Sequence, residues 1–335
     1  MKTMNDFNQK GAEDLFRPQP WAANPHLQTL FGSLRIRALG NNPMRAAARE
    51  ILLDGGKGVR LLGRHSRQPG RERCPLVLLI HGWEGSSEST YMLSTGRFLF
   101  LKGCDILRLN LRDHGESHHL NEGLFHGARI EEVFYAAVQA AKLARGPFFI
   151  VGFSLGGNFA LRIALKASGT AIPNLREIFC ISPSLDPHQA TVAIDESPYR
   201  HYFLRKWKRS LRKKQALFPR LYDFDDVLKL RTCMDMTESI MKYYPEFPTY
   251  RDYFRRYTLT GDALENLSVP VTVVSAEDDP IISADDIRRV KHNGFLKTLI
   301  QTHGGHCGFL EPFPFGCWYE RKIAGLIGRY EDSSS

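Results

Sequence analysis

The stretch FFIVGFSLGGNFALRIAL, residues 148–165, leaves this chain few ways to fold. It opens as an unbroken apolar run, the pattern of a strand covered on both faces. It closes with Leu155, Phe159 and Ile163 at helical spacing. The joint is one polar residue, Ser154, with glycines at 152, 156 and 157. A buried strand passing straight into a helix is half of a βαβ unit, which demands a parallel neighbour and a second covering layer. The glycines fit that geometry, because side chains there would collide where strand and helix approach.

The neighbouring segments supply the parallel strands. Residues 51–66, within EILLDGGKGVRLLGRHS (50–66), read as a hairpin with Asp-Gly-Gly at its turn. PLVLLI (75–80) and DILRLNL (105–111) are strands, separated by a helix near 91–102. RIEEVFYAAVQAAKLA (129–144) is an amphipathic helix before FFIVGF, and EIFCIS (177–182) is the sixth strand. VPVTVVS (269–275), a capped helix over 283–293, FLKTLIQT (295–302) and a helix near 316–329 complete the series. Alternation of this kind predicts a mostly parallel sheet with helices on both faces. Residues 184–267 are far too many for a simple connection and hold eight of the twelve tyrosines. They are expected to form a cap over the carboxyl edge of the sheet, where open α/β sheets bind ligands. The expected organisation is an arm over 1–50, a core over 51–183 and 268–330, the cap over 184–267, and a frayed tail at 331–335.

Charge and cysteine usage exclude several classes. The net charge is +9, yet RHYFLRKWKRSLRKK (200–214) holds eight of the Lys and Arg residues and no acid. The remainder carries only +1 (9 − 8), which argues against a nucleic-acid-binding surface. Six dispersed cysteines without a C-x-x-C pair suit reduced thiols in a cytoplasmic protein. The histidine pairs at 118–119 and in HGGH (303–306) lack a second cluster at ligand spacing, so no metal is expected. Residues 1–16 lack an apolar signal core, and no run approaches the ~18 residues of a membrane span.

G-x-S-x-G at a strand-to-helix switch has the form of a nucleophile elbow, which projects the Ser154 hydroxyl outward and places the Leu155 amide at a helix N-terminus. A serine nucleophile needs a base, and the base an orienting carboxylate. SAEDDPII follows strand 269–275; Asp279 is the preferred orienter, with Asp278 next and Glu277 third. THGGHCGFLE follows the last strand; His306, flanked by Gly305 and Gly308, is the preferred base and His303 the alternative. HGWEG (81–85) is expected to offer the Trp83 amide as a second oxyanion donor, with His81 holding the loop. In RDHGES (112–117), Asp113, His114 and Ser117 read as structural, with His114 a possible pocket residue. The chemistry needs no cofactor.

These blocks resemble the α/β-hydrolase superfamily, and within it the YheT-like branch. LFRPQPWAANPHLQTLFG (15–32) is similar to that branch's F-x-P…W…N-P-H-x-Q-T signature. HGWEGSSEST, GFSLGGN, SAEDDPII and GGHCGF follow in order, so the likeness runs from about 15 to 328. It implies an eight-stranded α/β-hydrolase sheet with a helical cap inserted after the sixth strand. It also implies Ser154, Asp279 and His306 as a charge-relay set acting on carboxylic esters. Asp113 departs from the branch's usual glycine after the second parallel strand. The arm at 15–32 shows no chemistry of its own and reads as a docked segment.

Phe203, Trp207 and Leu211 make an apolar stripe on an otherwise basic helix. Such a helix packs on the cap, touches an anionic membrane, or receives an acidic substrate. The aromatic run Tyr243–Tyr257 is expected to line an apolar acyl tunnel or to build the cap's own core. The expected activity is a small-molecule ester hydrolase of carboxylesterase or lipase type. An acyltransferase or thioesterase uses the same acyl-enzyme, and a non-catalytic binding protein is the reading from another class.

Overall fold

A computed structural model describes residues 15–311 and 316–332. Residues 1–14, most of the segment read for a secretory signal, and the final serines lie outside the described residues. One sheet contains β1 (Ala48–Asp54), β2 (Arg60–Ser66), β3 (Leu76–Ile80), β4 (Asp105–Leu109), β5 (Phe148–Phe153), β6 (Leu175–Ile181), β7 (Val271–Ala276) and β8 (Leu296–Gln301). The spatial order is β1-β2-β4-β3-β5-β6-β7-β8. β2 runs against both neighbours, and every pairing from β4 to β8 is parallel. Every residue of β3, β4, β5 and β7 is buried, and β3 and β5 are apolar throughout. That is why these runs do not alternate in sequence.

The helices are α1 (Pro25–Gly32), α2 (Pro43–Ala46), α3 (Thr90–Leu101), α4 (Ile130–Lys142), α5 (Leu155–Ala167), α6 (Pro187–Glu196), α7 (Tyr199–Leu217), α8 (Cys233–Ile240), α9 (Tyr250–Arg255), α10 (Ala284–Arg288) and α11 (Trp318–Asp332). Val133, Phe134, Phe159 and Ile163 of α4 and α5 fill one face of the sheet. Met92, Leu99, Trp318 and Ile323 of α3 and α11 fill the other. α11 continues to Asp332, past the point where fraying is expected. The helix expected over 283–293 stops at Arg288, because the Lys291 amide is taken by the Gly261 carbonyl at 2.8 Å. Val290 is buried in the core just before that bond.

Between β6 and β7 run α6 to α9, with a core of their own built on Leu204, Leu211, Phe224, Met236 and Ile240. Both ends of this insert are tied to α5. Asn158 Nδ2 donates to the carbonyls of Ser184 and Tyr257, and Asn158 Oδ1 accepts from Arg162 Nε.

Candidate active site

The elbow follows from contact distances. A Cβ on Gly156 would lie 2.3 Å from the Ile80 carbonyl oxygen, and one on Gly152 would lie 2.2 Å from that of Gly156. Only glycine lets β3, β5 and α5 meet this closely. Ser154, between them, sits at φ 54°, ψ −117°, a conformation costing about 1–3 kcal/mol that the surrounding packing must sustain. Its side chain faces the loop after β3, since a Cβ on Gly82 would come within 3.1 Å of Ser154 Cβ.

That loop is braced by two neutral histidines. His81 Nδ1 donates to the Gly82 carbonyl at 2.7 Å, and its Nε2 accepts from the Leu111 amide at 3.1 Å. His114 Nδ1 donates to the Arg112 carbonyl, and its Nε2 accepts from the Glu84 amide at 3.2 Å. Burial holds His81 well below the ordinary histidine range and His114 down to about 4, so both stay uncharged. Neither ring reaches the cavities beside Ser154; both act as struts. The Gly82 amide donates to Tyr91 Oη at 3.0 Å, and the Gly85 amide to the Gly82 carbonyl. Among the described residues, the Trp83 amide between them has no protein acceptor. The Leu155 amide heads α5, where a first-turn N–H has no partner within the helix.

Asp279 and His306 meet after β7 and β8. His306 Nδ1 lies 2.9 Å from Asp279 Oδ2, whose carboxylate is fully buried. Asp279 Oδ1 also accepts from the amides of Ile281 and Ile282, both at 2.9 Å. Burial opposes charge on His306, but the adjacent Asp279 carboxylate outweighs it and holds the imidazole well above its usual range. The other acids of SAEDDPII go elsewhere. Asp278 Oδ1 accepts from the Gly305 amide at 2.9 Å and its Oδ2 meets His303, which is half-exposed. Glu277 pairs with Arg288 on the surface.

The arm contacts His306 directly, which the sequence reading missed. Asn24 caps α1 by accepting from the amides of His26 and Leu27. Gln28, fully buried, donates to the Ala22 carbonyl and accepts from the Leu310 amide. Thr29 Oγ1 accepts from the His306 amide at 2.9 Å. The signal was N-P-H-x-Q-T: a cap and a helix-initiating proline followed by two polar residues one helical turn on.

Ser154 and His306 both line two chambers. The inner one, beneath the insert, is walled by Leu155, Ile194, Ile240, Tyr244, Phe254 and Tyr257 among others. The outer one runs between α1 and α7, past Leu30, Tyr91, Tyr199 and Lys206. Trp83, Phe203 and Ile281 belong to both walls. The aromatic run Tyr243–Tyr257 therefore contributes to the inner wall as well as to packing. The basic helix is largely spoken for. Lys214 is buried on Asp113 Oδ1 at 2.8 Å and also reaches the Asn121 carbonyl. Burial pushes the Asp113 carboxyl up to about 6 despite that partner. Lys206, Lys208, Lys213 and Arg200 donate to carbonyls of Glu84, Leu230, Gly115 and Asp195.

A strained serine on a strand-to-helix elbow, a paired Asp and His after the last two strands, and this strand order define an α/β-hydrolase. The model of the Alpha/beta hydrolase family matches residues 77–315, and the chain belongs to that family. It is 24% identical over 327 residues to human Protein ABHD15, covering 91% of this chain and 67% of that one. Over 260 residues it is 24% identical to mouse Phospholipase ABHD3, covering 74% and 62%. The chain thus spans only about two thirds or less of these relatives' length. An esterase of Pyrobaculum calidifontis superposes with a TM-score of 0.53 over 98% of both chains at 18% identity. An esterase of Pyrococcus furiosus does so at 0.55, over 87% of this chain and 95% of that one, at 15% identity. Likeness at that level concerns the fold. Among the described residues, no helix is long and apolar enough to cross a membrane.

Proposed function

We propose that the chain is a serine hydrolase of carboxylic esters. The observation that carries this reading is the Asp279–His306 pair, presented on the same chamber walls as the elbow serine. In the reaction, His306 Nε2 takes the Ser154 proton as Oγ attacks the ester carbonyl, while Asp279 holds Nδ1–H and stabilises the imidazolium. The developing oxyanion accepts from the amides of Leu155 and Trp83. His306 then protonates the departing alkoxide, activates a water against the acyl-enzyme, and Ser154 is regenerated.

The substrate class is a small ester with an apolar arm, in keeping with the inner wall of Ile194, Ile240 and Phe254. The insert, 184–267, serves as the cap, and the arm as a docked brace. Esterase and phospholipase names among similar proteins favour the same reading without choosing the substrate. Contact with an anionic membrane through residues 200–214 would fall to the exposed Arg205, Arg209 and Arg212; absence of salt-sensitive binding to anionic vesicles would remove it. A fluorophosphonate probe should label the wild type and not Ser154→Ala. Unlabelled, folded wild type would overturn the ester-hydrolase reading.

A further inference from the structure

The two chambers that meet at Ser154 differ in one respect. The inner chamber has no Lys, Arg, Asp or Glu among its described wall residues. The outer chamber has one such residue, Lys206, on the turn of α7 facing the loop after β3. Resting on the ester-hydrolase reading, we propose that Lys206 is an anion subsite. The second arm of the substrate, opposite the apolar one, carries a carboxylate, phosphate or sulfate group.

Three observations support this. First, Lys206 has unused capacity: its Nζ donates to the Glu84 carbonyl at 3.0 Å, and an ammonium has two further hydrogens. Second, its charge is not cancelled. Among the described residues it makes no ion pair, whereas Lys213 and Lys214 of the same helix pair with Glu116 and Asp113. Its acidic neighbour is Glu84, whose carboxyl burial pushes up to about 8, beyond what Lys206 pulls back, which weakens the negative charge it sets against Lys206. Third, Lys206 is held in place rather than waving in solvent. Its Nζ lies 4.8 Å from the centre of the Tyr202 ring, and Phe203, three residues before Lys206, stacks on Trp83 at 5.2 Å. A half-buried, ordered cation beside apolar rings gains more from an incoming anion than one in water.

Because Lys206 also steadies the loop that carries Trp83, its loss should slow every ester. Charge recognition is therefore read as a ratio. The probes are p-nitrophenyl butyrate and the butyrate ester of 5-hydroxy-2-nitrobenzoic acid, which share a chromophore and differ by one carboxylate. In the wild type, kcat/KM for the anionic ester relative to the neutral one should exceed the same ratio in Lys206→Met by about five- to tenfold. Lys206→Arg should keep the ratio within about twofold, and raising salt should lower the wild-type ratio toward that of Lys206→Met. Octanoate should inhibit neutral-ester hydrolysis more strongly than octanol in the wild type, and no more strongly in Lys206→Met. An equal ratio in wild type and Lys206→Met would overturn the subsite while leaving the ester-hydrolase reading intact. If neither ester is cleaved and the fluorophosphonate probe does not label, the reading beneath fails and the subsite falls with it.

Discussion

Two helices outside the sheet, α1 and α7, grip opposite halves of the proposed reaction centre by different means. α1 grips the base loop through main chain. A Cβ on Gly305 would lie 2.4 Å from the Pro25 carbonyl, and one on Gly308 would lie 2.6 Å from that of Gln28. Glycine brings backbone against backbone, and Thr29 and Gln28 add short hydrogen bonds. α7 grips the loops after β3 and β4 through long cations, with Lys206 on the Glu84 carbonyl and Lys214 buried on Asp113. A flexible stem bridges a gap that backbone contact cannot, but it brings charges that must be desolvated. One side is a rigid seam, and the other is an electrostatic clamp.

The largest expected effect tests the seam at its working end. Asp279→Asn should lower kcat by about three to four orders of magnitude, because the imidazole loses both its orientation and its countercharge. The rising limb of kcat/KM, which requires neutral His306, should stand above the ordinary histidine value in the wild type and move to lower pH in this variant. Asp278→Asn should cost about tenfold, since Asp278 holds only the Gly305 amide and His303. Reversed magnitudes in the two kinetic profiles would exchange the roles of these acids.

Next comes the clamp. Lys214→Met should lower stability by about 3–5 kcal/mol in urea unfolding, because Asp113 is left buried and unpaired. The double variant Asp113→Asn/Lys214→Met should recover part of that loss. No recovery would mean the two act independently. Gly305→Ala should cut kcat about a hundredfold while shifting KM little, since the forced displacement falls on the His306 loop rather than on the apolar side chains that line the inner chamber. A change confined to KM would contradict that.

The smallest effect separates the two sides by pH. Burial holds His118, bonded to Ser210 of α7, down to about 3, and His126, packed against Tyr244 and Phe247 of the insert, down to about 2. The unfolded chain therefore binds protons that the folded one refuses, and stability should fall as pH drops below about 6.5. His306 is raised, so its contribution is complete below the unfolded value and is lost as pH rises through the folded one. Unfolding midpoints across pH should show an acid slope that His118→Gln flattens by up to ~1.4 kcal/mol per pH unit.

Much of this was legible before any coordinates. Unbroken apolar runs announced β3 and β5, because strands buried on both faces need no polar alternation. The Gly152–Gly157 spacing announced the elbow, because only glycine survives a 2.2 Å approach. The arm was not legible as part of the site. Thr29 and His306 are 277 residues apart, and a threonine one turn into a short helix carries no local mark of its distant partner. Lys214 misled in the other direction: composition counts its charge as surface basicity, yet its side chain is buried.

The sequence by itself determined what local physics can encode: periodicity chose strand or helix, glycine chose where backbones meet, and residue types chose which chemistry was open. Only the tertiary structure decided which acid reaches His306, which cations face solvent, and that the arm touches the same histidine. Those outcomes depend on distances between segments far apart in the chain, set by packing of the whole sheet and its covering helices. No window of sequence contains them.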